Sequence, residues 1–269
     1  MTSLSTAIRT VLETAPPRAK AMAARALARR WNGGAIQFRF DCPMPDRPGR
    51  PAAPLLLPPN RMPNRRRAGS PAGRIALLHA FAHIEFNAID LALDAAGRFG
   101  AIMPQAFVTD WLSVAADEAM HFALLDRRLV SLGSFYGALP AHDGLWEAAE
   151  STRDDLAARL AIVPMVLEAR GLDVSPDTIE RLEKAGDIRS SAILRRIYTD
   201  EIRHVAIGSH WFRHVAMERN RPPAAYWRNL VKARFRGALK EPFNDSARES
   251  AGLTREFYAP LAPSASLVQ

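Results

Sequence analysis

The feature that most constrains the fold is a polar motif that occurs twice within apolar, helix-like sequence. The stretches "AADEAMHFALL" (115–125) and "YTDEIRHVAIG" (198–208) each contain Asp-Glu-x-x-His. Residues three apart in an α-helix lie about 60° apart around its axis, so Glu118 and His121 point the same way from one helix, as do Glu201 and His204 from another. Apolar runs of this kind are expected to face a core, where buried charges need compensating partners.

Two further glutamates lie in apolar surroundings, Glu85 in "AFAHIEFNAI" and Glu168 in "IVPMVLEARG". Glu118 follows Glu85 by 33 residues, and Glu201 follows Glu168 by the same interval. The order along the chain is therefore Glu, Glu-x-x-His, Glu, Glu-x-x-His. It matches the inward-facing ligand set of di-iron and di-manganese carboxylate bundles. One Glu-x-x-His could arise by chance on a solvated helix, but two equally spaced copies favour a dimetal site. Its predicted ligands are Glu85, Glu118, His121, Glu168, Glu201 and His204.

The donor atoms also indicate the metal and its surroundings. Carboxylate oxygens with one imidazole per ion favour iron, with manganese or a mixed pair as alternatives, over copper or structural zinc. Asp117 and Asp200 precede the motif glutamates and are predicted to accept the second ring N–H of a ligand histidine. Arg203 is predicted to pair with such an aspartate. Tyr198 lies one turn before Glu201 and is a candidate for the pocket wall, with core packing as the alternative.

The rest of the chain has helical periodicity and no convincing strand alternation, so the predicted fold class is all-α. Four long helices with apolar stripes indicate a four-helix bundle. These long helices are predicted near 70–97, 104–133, 151–172 and 188–220, with a short helix over 175–187 that starts at Ser-Pro and a basic helix over 222–239. The predicted division is an N-terminal helix and Pro/Arg-rich strap (1–70), the bundle (71–218), and a C-terminal helix and tail (219–269).

The N-terminal region is expected to contain one or two helices over residues 2–31, interrupted at Pro16-Pro17. Nine prolines between residues 43 and 71 make regular structure unlikely there. We therefore predict an extended strap across the surface. Leu55, Leu56 and Leu57 are expected to be buried beneath it.

Charge is distributed unevenly along the chain. Residues 1–74 carry 14 Lys/Arg and 3 Asp/Glu, whereas residues 75–218 carry 13 and 21. Basic arms can bind a polyanion such as RNA, but we favour the alternative that they neutralise the acidic bundle. No run of 18 apolar residues occurs, so no membrane span is expected. The single cysteine, Cys42, is typical of a reducing cytoplasm.

The chain resembles the ferritin-like superfamily and, within it, a bacterial family catalogued as domain of unknown function 455. The resemblance lies in "GSPAGRIALLHAFAHIEFNAIDLALD", "DEAMHFALL", "MVLEARGLD", "IYTDEIRHVAIG" and "PFNDSARESAGL". It covers about residues 40–260, and the six predicted ligands match the superfamily's ligand positions. The resemblance implies a fold and a metal site but no particular reaction.

The predicted function is that of an O₂-dependent dimetal oxidoreductase, a hydroxylase or oxidase of a small organic substrate. A separate electron donor is implied, because the sequence contains no nucleotide-binding signature or cysteine cluster. One alternative is a tRNA-modifying hydroxylase that holds RNA with its basic arms. Another is a non-catalytic iron-handling relative of ferritin, which a large hollow oligomer would favour, whereas a monomer or homodimer favours an enzyme.

Overall fold

Helices form nearly all of the regular structure, which confirms the all-α prediction. A computed structural model describes residues 2–63 and 70–262 of the chain. Predictions for residues 1, 64–69 and 263–269, in the strap and the tail, lie outside the described residues. The helices are α1 Leu4–Leu12, α2 Pro17–Asn32, α3 Pro71–Phe99, α4 Gln105–Ser131, α5 Gly144–Glu150, α6 Leu156–Ile162, α7 Ala169–Lys184, α8 Ile188–Glu218, α9 Pro223–Arg234, α10 Asp245–Ser250 and α11 Arg255–Tyr258, with a π-helical turn at Val163–Glu168.

The first of two compact units comprises Met1–Glu150 and Ile179–Leu194. Within it α3 packs along α4, α2 packs on α4, and α1 packs on α3. The predicted start of α3 is confirmed, because the Ser70 side chain accepts a hydrogen bond from the backbone N–H of Gly73 and Pro71 is the first helical residue. Large buried side chains of α3 and α4 include Leu78, Phe86, Leu93, Phe107, Trp111, Phe122 and Leu125.

The N-terminal segment of this unit consists of two helices with a break at the predicted prolines. Helix α1 ends before Pro16, and α2 begins at Pro17, where a missing N–H costs no helical hydrogen bond. A short parallel strand pair joins the two ends of the segment, β1 Thr2–Ser3 with β2 Ile36–Gln37.

The proline-rich strap is anchored by its backbone, and the predicted burial of its leucines is wrong for two of the three. Leu55 is 65% exposed and Leu56 40% exposed, whereas Leu57 is half-buried. The Leu57 N–H donates to the carbonyl of Ala141 at 2.8 Å, and the Ala141 N–H donates to the carbonyl of Leu55 at 3.0 Å. Because these bonds use main-chain atoms, the leucine side chains can point outward.

The second unit comprises Ser151–Thr178 and Arg195–Gln269. Helix α6 packs on α9, and α9 packs on α11. Trp227 of α9 is fully buried, and its indole N–H donates to the carbonyl of Ala161 at 3.2 Å. The buried guanidinium of Arg248 forms two hydrogen bonds with Asp173, of 2.8 and 2.7 Å, and so ties the C-terminal segment to α7.

The predicted separate helix beginning at Ser175-Pro176 is wrong, because α7 continues through Pro176. A proline inside a helix leaves the carbonyl four residues earlier without its usual partner. That carbonyl belongs to Leu172, and the Asn244 side-chain amide donates to it at 3.1 Å. A side chain from the C-terminal segment therefore compensates the bond that the proline removes.

Helices α7 and α8 contribute residues to both units, and the predicted ferritin-like four-helix arrangement stays a prediction.

One stretch, Pro71–Ile102, is long and apolar enough to cross a membrane by length and composition alone. However, 78% of its most apolar window is buried inside the protein, and core helices of globular proteins meet the same criterion.

Candidate metal centre

Three of the predicted ligands meet where α3 packs along α4 in the first unit. Glu85 projects from α3, and Glu118 and His121 project from α4. All three are buried, with 3%, 1% and 0% of their surfaces exposed. Phe86 and Phe122, which follow Glu85 and His121 in the sequence, are fully buried with ring centroids 5.4 Å apart. The three polar side chains therefore lie in the buried core between α3 and α4.

The three side chains are close enough to share a ligand. Nδ1 of His121 is 3.2 Å from Oε2 of Glu85 and 3.4 Å from Oε2 of Glu118. One potential ligand atom from each residue lies within 4.8 Å of those from the other two. This buried Glu–Glu–His group could hold a metal ion.

The electrostatics of the group favour a bound cation. Burial raises the pKa of Glu85 well above its usual value, the neighbouring charge of Glu118 raises it further, and His121 acts in the opposite direction. Two carboxylates and one imidazole thus share a site in which the ionised acids lack solvent. A bound metal cation would offset their charge.

The second Glu-x-x-His motif lies on α8, in the second unit. His204 is fully buried, and the side chain of Glu201 is 12% exposed. Nδ1 of His204 lies 3.4 Å from Oε1 of Glu201, the same separation as between Nδ1 of His121 and the Glu118 carboxylate. Both motifs therefore present the same pair of donor atoms, as their common helical spacing predicts.

Glu168 is the last residue of the π-helical turn Val163–Glu168 and is half-buried. Pro164 is the second residue of this turn, and it has no N–H to donate to a helical hydrogen bond. A Cβ atom added to Gly208 would lie 2.4 Å from Cβ of Pro164, so only glycine allows α8 to lie this close to the turn. Gly208 is four residues after His204 and therefore lies near the same face of α8.

Four other residues were predicted to surround the site. Asp117 precedes the first Glu-x-x-His motif, and Tyr198, Asp200 and Arg203 lie in or beside the second. Asp117 is half-buried and Arg203 is exposed. Asp200 accepts a hydrogen bond from Arg196 at 2.6 Å. The hydroxyl of Tyr198 accepts a hydrogen bond from the Asn244 amide at 3.0 Å, which holds the ring against the C-terminal segment of the same unit.

Sequence reasoning missed a buried polar network beside the first group. Lys20 is completely buried, and its ammonium donates to Asp90 at 2.7 Å and to the carbonyl of Gly49 at 2.8 Å. Arg50 lies 3.1 Å from the second oxygen of Asp90 and donates to Asn87 at 2.6 Å. Asp90 is in an apolar stretch of α3, which was a usable signal, but its partners are distant in sequence.

The fold and the site define an all-α protein with a buried glutamate–histidine group that could hold a metal ion. The chain belongs to the family described as "Protein of unknown function (DUF455)", whose model matches residues 13–259. It is 43% identical over 211 residues to an "Uncharacterized protein" of Haemophilus influenzae, an alignment that covers 76% of this chain and 73% of that protein. No solved structure matches the chain.

Proposed function

We propose that the chain is a ferritin-like dimetal carboxylate protein in which both motifs share one centre. The six ligands would be Glu85, Glu118, His121, Glu168, Glu201 and His204, and two ions, iron by preference, would occupy the centre. The observation that carries the proposal is the buried Glu85–Glu118–His121 group. The equal 3.4 Å contacts within the two Glu-x-x-His motifs support it.

The proposed activity is O₂-dependent oxidation of a small organic substrate, as a hydroxylase or oxidase. When bound, the metal pair would supply the electrons and the Lewis acidity with which O₂ is reduced. The residues of the chain would hold that pair and control its surroundings. Glu85, Glu118 and His121 are themselves buried in the core between α3 and α4, and this burial would exclude water from the reaction.

The protein's own ionisable groups would set the charge of the centre. His121 and His204 would act as neutral ligands through Nδ1, the ring nitrogen that faces a glutamate in each motif. The other ring nitrogen would then donate a hydrogen bond, and Asp117 and Asp200 remain the proposed acceptors, with Arg203 as a pairing partner. Tyr198 is proposed to border the pocket.

Anaerobic loading with Fe²⁺ followed by addition of O₂ tests the activity. If the centre holds iron as proposed, with His121 and His204 among its ligands, the wild type should consume O₂ and oxidise its bound ferrous ions. His121→Gln should slow this oxidation at least about 100-fold, since it removes an iron ligand. His210→Gln is the matched control, because His210 is an exposed histidine on α8 and should change nothing.

Equal oxidation rates in His121→Gln and in the wild type would contradict the proposal. Size measurement on the same samples distinguishes an enzyme from a storage protein. A monomer or homodimer is expected for the enzyme, whereas a large hollow oligomer that retains ferric mineral would support iron storage instead.

A further inference from the structure

A groove of about 540 Å³ lies between α2 and α4 in the first unit. Four arginines line it, Arg18 and two others from α2 and one from α4, and the only acid in its lining is Asp126. The Asp126 carboxylate is neutralised, because Nε of Arg18 donates to it at 2.7 Å. The remaining arginines, Arg25, Arg29 and Arg127, are exposed and give this α2–α4 groove a net positive charge.

The floor of the groove is apolar. Ala21, Ala119 and Phe122 are buried beneath it, and Met22 stands on its rim with 67% of its surface exposed. A mixture of arginine and methionine around an apolar centre is typical of protein–protein interfaces. Single-stranded nucleic acid would instead require exposed aromatic rings for stacking, and the aromatic residue of this lining, Phe122, is fully buried.

The groove lies next to the residues proposed to hold metal. Ala119 and Phe122 on its floor each follow a proposed ligand of α4, Glu118 and His121 respectively, by one residue. The two ligands are buried and cannot be touched by another protein. A protein seated in the groove would be separated from them by the thickness of one helix, about 10 Å.

We propose that the α2–α4 groove is the docking site of a small acidic electron-transfer protein. This inference rests on the proposed function, because hydroxylation requires external electrons: R–H + O₂ + 2 e⁻ + 2 H⁺ gives R–OH + H₂O. Two molecules of a one-electron carrier would be oxidised in each turnover, and the protons would come from solvent. The carrier's acidic surface would meet the three exposed arginines, and its apolar centre would meet Met22 and the alanines.

The test measures binding of a purified acidic [2Fe–2S] ferredoxin to the whole protein by calorimetry, at 20 to 300 mM salt. Binding should weaken steeply with salt, because exposed charges are screened over about 10 Å at 0.1 M. Arg25→Glu/Arg29→Glu should weaken binding at least about tenfold at low salt, since it reverses two charges at the interface. Lys232→Glu/Arg236→Glu is the matched control, because it reverses two exposed charges in the second unit.

The docking site would be overturned if the two double variants weakened ferredoxin binding equally. It would also be overturned if the wild type showed no salt-dependent binding of ferredoxin. Binding of a single-stranded RNA oligomer that depends on Arg25 and Arg29, with none of the ferredoxin, would also overturn it in favour of a nucleic-acid site. Metal content and reduction by dithionite are measured on the same samples. If the protein binds metal and is reduced by dithionite but does not bind ferredoxin, the docking site alone is refuted. If the protein binds no metal, the proposed function is refuted.

Discussion

Gly208→Ala is the substitution whose effect follows most directly from the structure. A methyl group at this position would lie 2.4 Å from Cβ and 2.5 Å from Cγ of Pro164. Carbon atoms in contact normally stay about 3.5–4.0 Å apart, and a proline ring cannot rotate away. The helix α8 and the π-helical turn must therefore separate by about 1 Å, and overpacking of this kind costs about 1–3 kcal/mol.

The matched control is Gly171→Ala, which places the same methyl group in α7 of the same unit. Nothing lies within 4 Å of a Cβ atom at Gly171. Both substitutions gain the same helix propensity, about 0.5–1 kcal/mol, so the difference between the variants isolates the contact with Pro164. Guanidinium unfolding followed by circular dichroism should show Gly208→Ala to be about 1–3 kcal/mol less stable than Gly171→Ala.

The same separation would move Glu168, at the end of the turn, away from the face of α8 that carries His204. We expect Gly208→Ala to lose bound metal and Gly171→Ala to retain it. The reasoning is refuted if Gly208→Ala is as stable as the control, because the contact would then carry no strain.

Three further outcomes are expected. Burial lowers the pKa of His79 and of His83 to about 4. As the pH falls below 6.5 the unfolded chain therefore takes up protons before the folded protein does, and urea unfolding should show a loss of about 2 kcal/mol of stability per histidine between pH 7.5 and pH 5. A His79→Gln variant should lose less stability over the same pH range. Asn244→Ala should lower the free energy of unfolding by about 1–3 kcal/mol, because the Leu172 carbonyl loses its donor and the Ala247 N–H loses its acceptor at the start of α10. Asn244→Asp removes the amide donor but keeps an acceptor for Ala247, so it should be destabilised less than Asn244→Ala, and an Asn244→Asp variant as stable as the wild type would contradict the role of the amide. Lys20→Met should cost about 3 kcal/mol because it removes one of the two cations beside a buried carboxylate, and an unchanged unfolding midpoint would show that the remaining arginine suffices.

Local signals in the sequence were enough to predict the long helices α3, α4 and α8, whereas the region of the predicted helix 151–172 contains α6, a π-helical turn and the start of α7. A serine cap followed by proline fixes the start of α3 at Pro71, and the helical spacing of Glu118 and His121 places both side chains on one side of α4. Glu85 could be matched to them because a buried carboxylate needs a partner. The structure brings these three side chains together, with Nδ1 of His121 between the two carboxylates.

Features that depend on distant residues could not be predicted in this way. Pro176 predicts a helix start, but the Asn244 amide, far along the chain, satisfies the carbonyl that this proline leaves and lets α7 continue. Leu55 predicts burial by its side chain, whereas the strap is held by main-chain bonds to Ala141. Lys20 looks like a surface residue in a basic helix, and only the fold brings it to Asp90.

Elemental analysis of the purified protein, after anaerobic incubation with Fe²⁺ and removal of loosely bound ions, tests the central claim most directly. We expect about two iron ions per chain in the wild type. Glu118→Gln should bind at most one, because its neutral amide cannot replace a carboxylate ligand. Fewer than about 0.2 ions of iron or manganese per wild-type chain, or equal loading of the wild type and Glu118→Gln, would contradict the account.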